Sequence, residues 1–457
     1  MSAAATTLTP PDQGKDAEIT RAQAQRDRHR LIAALAEISR LRIRLEQLER
    51  DVADRRLPVA RVVARAIGLD KRPPMPVATT MPITDVPPAS RGRVLVIDHH
   101  WPQPDRDSGS VDIFNLMQAL AALGFDAVLA ASEQHEGPQP ARDWLIGQGI
   151  ACLQPRDAPS VGDYIARHGV TLDLCVLCRV YCGGAFLETV QAHCPIARFV
   201  FNSIDLNFLR EERRAHMTGD ARLLGLIDQI RAREEHVIRS CDATLVVSEA
   251  EATLLAETMP SSLVVQMPLA RAIHPPVTPF ARRRGIGFVG SFGHSPNVDA
   301  VRMFVAEIWP LVRRDVPDCT LSIVGADAPS DLVDGRDPSI RMLGHVPDLG
   351  PWFEDLRLTV APLRFGAGAK GKVASSLAAG VPCIATSVAA EGMALGDEGG
   401  VLVANAPAAF AEAIVRTYQD PVLWDRLSAG GLAYAGRTLS LSAWQDRLDA
   451  TLRRLGF

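Results

Sequence analysis

The sequence predicts an α/β protein built from two doubly wound parallel sheets in tandem. Two observations carry that expectation. From residue 93 onward, short buried-strand runs alternate with amphipathic helices, and a proline- and arginine-rich stretch at 274–284 interrupts the alternation once before it restarts. Strand and helix in strict succession are the signature of crossover units that feed a parallel sheet. A length of 457 residues accommodates two such domains and additional segments.

The elements follow in order. Residues 1–16 are small, polar and proline-bearing, a composition expected to be disordered. Residues 17–72 read as helical. Leu31, Ile38, Leu45 and Val52 recur every seventh position, and Ala34, Leu41 and Leu48 follow the first three of them by three, which makes an a/d seam. One reading is a coiled coil over residues 24–56 that forms a homodimer or docks a partner; another is an amphipathic helix folded onto its own domain. The arginine content adds a third, adhesion to an anionic membrane face. Residues 73–91 form a proline-rich linker.

The first sheet domain is assigned to 92–273. Its strands are "RVLVID", "DAVLAAS", "GIACLQ", "LDLCVLCRV", "ARFVFNS", "DATLVVS" and "LVVQMP", and its helices include one ending at Gly124 and stretches at 205–217, 221–240 and 249–258. After the linker at 274–284, the second domain occupies 285–457. It holds "GIGFVGSF", a helix from Asn297 to about Arg314, "CTLSIVG", "IRMLGHV", a helix at 348–355, "LTVAPL", a lysine-bearing helix, "PCIATS" and "GVLVA". Its last helix is a candidate to cross back onto the first domain. Both domains are Rossmann-like, so ligands are expected outside the carboxyl ends of the strands.

Composition narrows the function. An apolar fraction of 47%, 22% charged residues and a net charge of −4 describe an ordinary globular protein and make nucleic acid a poor partner. No apolar run of signal-peptide kind or membrane-spanning length is present, which places the chain in the cytoplasm, with peripheral contact at the inner membrane face left open. The eight cysteines sit mostly in apolar runs, as expected of reduced core thiols. "LCVLC" spaces Cys175 and Cys178 like a zinc half-site, but strand alternation sends their thiols to opposite faces, so no metal is assigned.

The chemistry is expected in the loops. "FGAGAKGKVAS" at 365–375 matches the spacing of a phosphate-binding P-loop through Gly366, Gly371 and Lys372, until Val373 stands where a magnesium-binding hydroxyl belongs. An ATPase reading therefore starts badly. Glycines after a strand allow backbone N–H groups to approach an anion, and a helix beginning near Gly368 would aim its positive end there. Lys370 and Lys372 add full charges suited to a diphosphate. Gly290, Ser291 and Phe292 after one strand, and Gly344, His345 and Val346 after another, belong to the same edge.

The stretches "FVGSFGHSPNVDAVRMF", "TLSIVGADAP" and "IRMLGHVPDLGPWFEDLRLTVAPLRFGAGAKGKVASSLAAGVPCIATSVAAEGM" resemble the donor-binding domain of family 4 GT-B glycosyltransferases (glycosyl transferases group 1). "RVLVIDHHWPQPDRDSGSVDIFNLMQAL" and "FNSIDLNFLREERRA" resemble the acceptor-side domain of the bacterial surface-polysaccharide branch. The resemblance spans about 93–457. It implies a GT-B fold, two Rossmann-like domains facing a cleft, and retaining transfer of a sugar from a nucleotide-sugar donor to a glycan or lipid-linked glycan. No metal or other cofactor is implied. Lys370 and Lys372 would hold the diphosphate; Gly290, Ser291, Phe292, His294, His345, Val346, Gly368, Ser375 and Glu391 would complete the donor site, with the base near Gly344–Val346.

On the acceptor side, the Asp105–Asp107 stretch with Ser108, Gly109 and Ser110 reads as an acceptor loop, and Asp107 or Ser108 reads equally as a helix cap. Two positions depart from the family pattern. Ala367 and Ser375 stand where a glutamate pair is usual, Glu391 being a substitute acid, and Asn207 stands where histidine is common. In a retaining transfer the leaving diphosphate can itself accept the acceptor proton. His99, His100 and Asp205 would then orient the acceptor hydroxyl. Asn297 reads as an N-cap. Two other readings stay open: a catalytically silent GT-B scaffold using its coiled coil, and a GT-B sugar-nucleotide epimerase.

Overall fold

The computed structural model describes residues 90–133, 139–333, 337–366, 368–393, 395 and 399–457. The predicted coiled coil, nearly all of the proline-rich linker and the Ala367 position lie outside the described residues. The first sheet is wholly parallel. Its strands are β1 (Arg93–Asp98), β2 (Asp126–Ala131), β3 (Ala151–Cys152), β4 (Leu174–Cys178), β5 (Arg198–Asn202), β6 (Ala243–Val246) and β7 (Val264–Gln266), in the order β3-β2-β1-β4-β5-β6-β7. The second, also parallel, is β10-β9-β8-β11-β12-β13, from β8 (Gly285–Val289), β9 (Leu321–Val324), β10 (Ile340–Gly344), β11 (Leu356–Ala361), β12 (Cys383–Ala385) and β13 (Val401–Val403). Each sheet reverses its strand order beside its first strand, between β1 and β4 and between β8 and β11. A crevice opens at such a switch point.

The central strands are buried on both faces because most of their positions are apolar. In β4, Leu174, Val176 and Cys178 enter one core and Cys175 and Leu177 the other, so the two thiols do point apart. Helix α1 (Ser108–Ala122) follows β1. Ile113, Leu116, Met117 and Leu120 give it an apolar stripe, and Asp107 caps its start by accepting from Ser110 N–H at 2.8 Å. Gly124, at φ +85°, turns the chain out of the helix into β2.

Around the cleft stand α2 (Asn207–Thr218), α3 (Ile227–Ser240), α4 (Glu249–Thr258), α5 (Ser295–Met303) and α6 (Gly371–Ala378). Two predicted helices are interrupted. The stretch 221–240 breaks at Gly225, which closes the short turn Ala221–Leu224. The helix expected to run unbroken to about Arg314 starts at Ser295 and passes through a π turn at Phe304–Ile308. Pro310 lacks an N–H and its ring crowds the preceding turn, and a widened turn accommodates it. The terminal helix α7 (Leu441–Arg454) leaves the second domain and packs Trp444, Leu448 and Leu452 into the core of the first, with Asp449 bonded to Arg91 at 2.5 Å. Among the described residues no helix is long and apolar enough to cross a membrane.

Candidate active site

The carboxyl ends of both sheets face one another across a narrow cleft. From the second domain come the loops after β8, β10, β11 and β12; from the first come those after β1, β4, β5, β6 and β7. Helix α6 begins at Gly371, not near Gly368, with Lys370 in the N-cap position. Val373 and Ala374 N–H both bond to Lys370 O, at 3.0 and 3.1 Å, so helical bonding starts there and the first turn's N–H groups lie at the cleft.

The glycines of this loop serve close packing between domains. A Cβ on Gly371 would overlap Cβ and Oγ of Ser108 from the opposite domain. Gly368, at φ +68°, lies against Asp205, where a Cβ would come within 3.2 Å of the aspartate's own. Only glycine permits both approaches.

The two lysines have different surroundings. Lys370 is 8% exposed and donates to Gly368 O. Burial lowers its pKa to about 8 despite the opposing charges of Glu391, Glu251 and Asp205. Lys372 donates to Asn297 Oδ1 at 2.8 Å and lies over the Phe288 ring at 5.3 Å from its centroid. Burial, then the neighbouring Lys370 charge, lowers its pKa to about 7. Asn297 is therefore no N-cap. It sits in the first turn of α5, its Nδ2 donating to Ser291 O at 2.6 Å and its amide packing on Gly290, while His294 takes the cap position without a side-chain bond.

His294 stands in the mouth of the cleft. Although its side chain is exposed, desolvation by the surrounding protein, then the Arg210 and Lys372 cations, lower its pKa to about 4, with Asp205 opposing. Phe292 is committed to the core beside Phe288, so it offers only backbone to the cleft, while Val346 is half-buried against Trp352 and Phe353. His345 Nε2 meets Asp105 Oδ2 at 3.0 Å across the cleft. Glu391 is gripped by Arg213 of α2 at 2.5 and 2.8 Å, and the same guanidinium donates to Gly366 O at 2.9 Å.

Ser375 Oγ accepts from Arg271 Nε at 3.3 Å. Arg271 is 6% exposed. It also pairs with Asp112 at 2.8 Å and donates to Ser108 Oγ, so it joins both domains. Within the first domain, Asp205 receives Arg210 at 2.6 and 2.8 Å. Burial pushes its pKa up, but the Arg210 charge and hydrogen bonds outweigh this and lower it. Asn207, one turn away, accepts from the same Arg210 at 2.5 Å and lies where α2 begins. Glu234 caps that helix, accepting from Asn207 N–H and Phe208 N–H at 3.0 and 2.8 Å.

Two strained residues shape this wall: Ile204 and Arg179 both adopt positive φ, +64° and +62°, at the carboxyl ends of β5 and β4. Arg179 bonds to Asp98 at 2.9 Å, and its Nη2 lies where it would have to shift to admit a Cβ on Gly109. Ser110 Oγ donates to Asp107 at 2.7 Å, so Asp107 works as the helix cap. His99 contacts Glu133 and His100.

Sequence reasoning missed Arg179, Arg210, Arg213, Arg271 and Asp112. Arg179 and Arg271 do follow strands, which is the signal that would have flagged them; Arg210 and Arg213 lie within an arginine-rich helix that gives no hint of which residues face the cleft.

Comparison with known proteins fits this layout. Residues 283–420 match the family model described as glycosyl transferases group 1. No curated protein matches the sequence. Among solved structures, a sucrose-phosphate synthase from Thermosynechococcus elongatus superposes with TM-score 0.63 at 14% identity, over 80% of this chain and 99% of its own. Anabaena HepE bound to UDP-glucose gives 0.57 at 12%, over 79% and 99%, and a glycosyltransferase from Rickettsia africae 0.57 at 10%, over 79% and 98%. At such identities the likeness is one of fold. Residues 283–420 are thus similar to the glycosyl transferases group 1, and the chain as a whole has the two-domain GT-B fold.

Proposed function

We propose that the chain is a retaining glycosyltransferase of family 4 type that moves a sugar from a nucleotide-diphosphate donor to a glycan or lipid-linked glycan. Surface polysaccharide synthesis at the cytoplasmic face of a membrane is the setting we assign to it. The observation that carries the donor reading is Lys372. It is a partly buried cation at a helix start, its partners are a neutral amide oxygen and an aromatic ring, and no described carboxylate lies within ion-pair distance. An ammonium taken from water without a counter-charge is costly, and an entering diphosphate supplies that charge.

In this reading Lys372, Lys370 and the first N–H groups of α6 offset the negative charge that grows on the departing diphosphate. The bond from the sugar's anomeric carbon to the phosphate oxygen breaks as the acceptor oxygen bonds to the same face, and the acceptor proton passes to the leaving phosphate oxygen. The lysines neutralise the charge, so the reading requires no metal. HepE binds UDP-glucose, which makes uridine nucleotides the first donors to test.

One observation favours a silent scaffold instead: the Ser375 hydroxyl already accepts from Arg271. Calorimetric titration of UDP, GDP, ADP and their sugar conjugates, without and with magnesium, separates the two. Saturable binding of one nucleotide without metal, lost in Lys370→Ala/Lys372→Ala together with at least a ~100-fold loss of transfer, supports the enzyme. No binding at all supports the scaffold.

A further inference from the structure

Beyond β1 and β2 the chain keeps a ladder-like pairing that brings three side chains into line. Ser132 N–H bonds to Asp98 O at 2.8 Å and Glu133 N–H to His99 O at 3.1 Å, so Glu133 is fixed beside His99 by backbone. Glu133 Oε2 then meets His99 Nε2 at 3.0 Å, and His99 Nδ1 meets His100 Nδ1 at 2.8 Å, the rings standing edge to face.

The proton positions follow from valence. A carboxylate only accepts, so His99 donates from Nε2. In its neutral form His99 then has a lone pair on Nδ1, and the short contact requires His100 to donate from Nδ1. His100 is left with a lone pair on Nε2. Around it stand Asp98 from β1, Asp107 from the turn before α1, and Arg179 after β4. Burial, the His99 ring and Arg179 disfavour its protonation, and the two aspartates oppose them; the net effect lowers its pKa. His100 lies in the loop at the carboxyl end of β1, whose far end, Ser108, packs against Gly371 of the second domain, which puts this loop on the first-domain side of the cleft.

We propose that Glu133 and His99 are positioning residues that fix the tautomer of His100, and that His100 Nε2 accepts a hydrogen bond from the hydroxyl of the sugar acceptor. This rests on the glycosyl-transfer reading for the identity of the hydroxyl, and of the two histidines expected to orient it, only His100 keeps the substrate-touching role.

Ring 15N spectra of the full chain labelled at histidine, assigned with His99→Asn and His100→Asn, test the relay without any substrate. Protons on His99 Nε2 and His100 Nδ1 are expected near neutral pH, and Glu133→Gln should scramble both. A proton on His100 Nε2 in the native chain overturns the proposal. Asparagine at 100 retains a donor toward His99 and removes the outward nitrogen. His100→Asn should therefore lower kcat/KM about tenfold for transfer to water, measured as hydrolysis of whichever nucleotide sugar binds, with nucleotide affinity unchanged. Unaltered hydrolysis in that variant also overturns the proposal. If no nucleotide sugar binds, the donor reading falls, and the ring spectra alone still decide the relay.

Discussion

Lys372 concentrates the chemistry of the site in one side chain, and its titration gives a prediction with a definite sign. An ordinary lysine titrates near 10.5; here burial and Lys370 bring the value to about 7. Between those two values the unfolded chain binds more protons than the folded one, so for this group stability rises with pH across roughly 7 to 10.5. Nucleotide binding runs the other way. A diphosphate needs the ammonium form, so binding above pH 7 draws a proton onto Lys372 and, above about 8, onto Lys370 as well. Calorimetry at pH 8.5 in two buffers of different ionisation enthalpy should show net proton uptake, and affinity should weaken from pH 6.5 to 9. Uptake that persists in Lys372→Met at full size would assign the proton elsewhere.

At the scale of elements, the strands and their alternation were legible because a buried parallel strand is apolar at most positions and needs no partner to be recognised. The same held for the thiols of Cys175 and Cys178, whose separation follows from a period of two. The start of α6 was misplaced by three residues because glycine is neutral between loop and helix until tertiary packing chooses. That choice is made by Ser108, which occupies the space of a Cβ on Gly371. Gly371→Ala should accordingly weaken nucleotide binding by about tenfold or more by holding the domains apart. The second substitution Ser108→Gly should restore most of it, a coupling expected of residues in direct contact. Helix α7 depends on distant packing in the same way. Trp444→Ala should cost about 3 kcal/mol in denaturant unfolding, the usual cost of a large buried aromatic.

For the whole molecule the decisive contacts are ionic and run between domains, which is why they could not be read from the sequence. A strand announces its own burial, whereas Arg213 and Glu391 are 178 residues apart and acquire meaning only when the cleft closes. The ties across that cleft include Arg213 to Glu391 and Gly366, Asp105 to His345, Arg271 to Ser108 and Ser375, and Glu249 N–H to Gly392 O. The pairs involving Arg213 and His345 are partly exposed, so each contributes little alone and is weakened by salt. A cleft held by several weak ties can open to admit a donor and close over it. Arg213→Met keeps the helix and most of the side-chain volume while releasing Glu391 and the Gly366 carbonyl together. Hydrogen exchange in peptides covering 363–372 and 205–213 should then accelerate several-fold on both walls, with the strands β8 and β1 unchanged, and a bound nucleotide should reverse much of the effect. Exchange that rises on only one wall would show that Arg213 orders its own helix and does not hold the domains together.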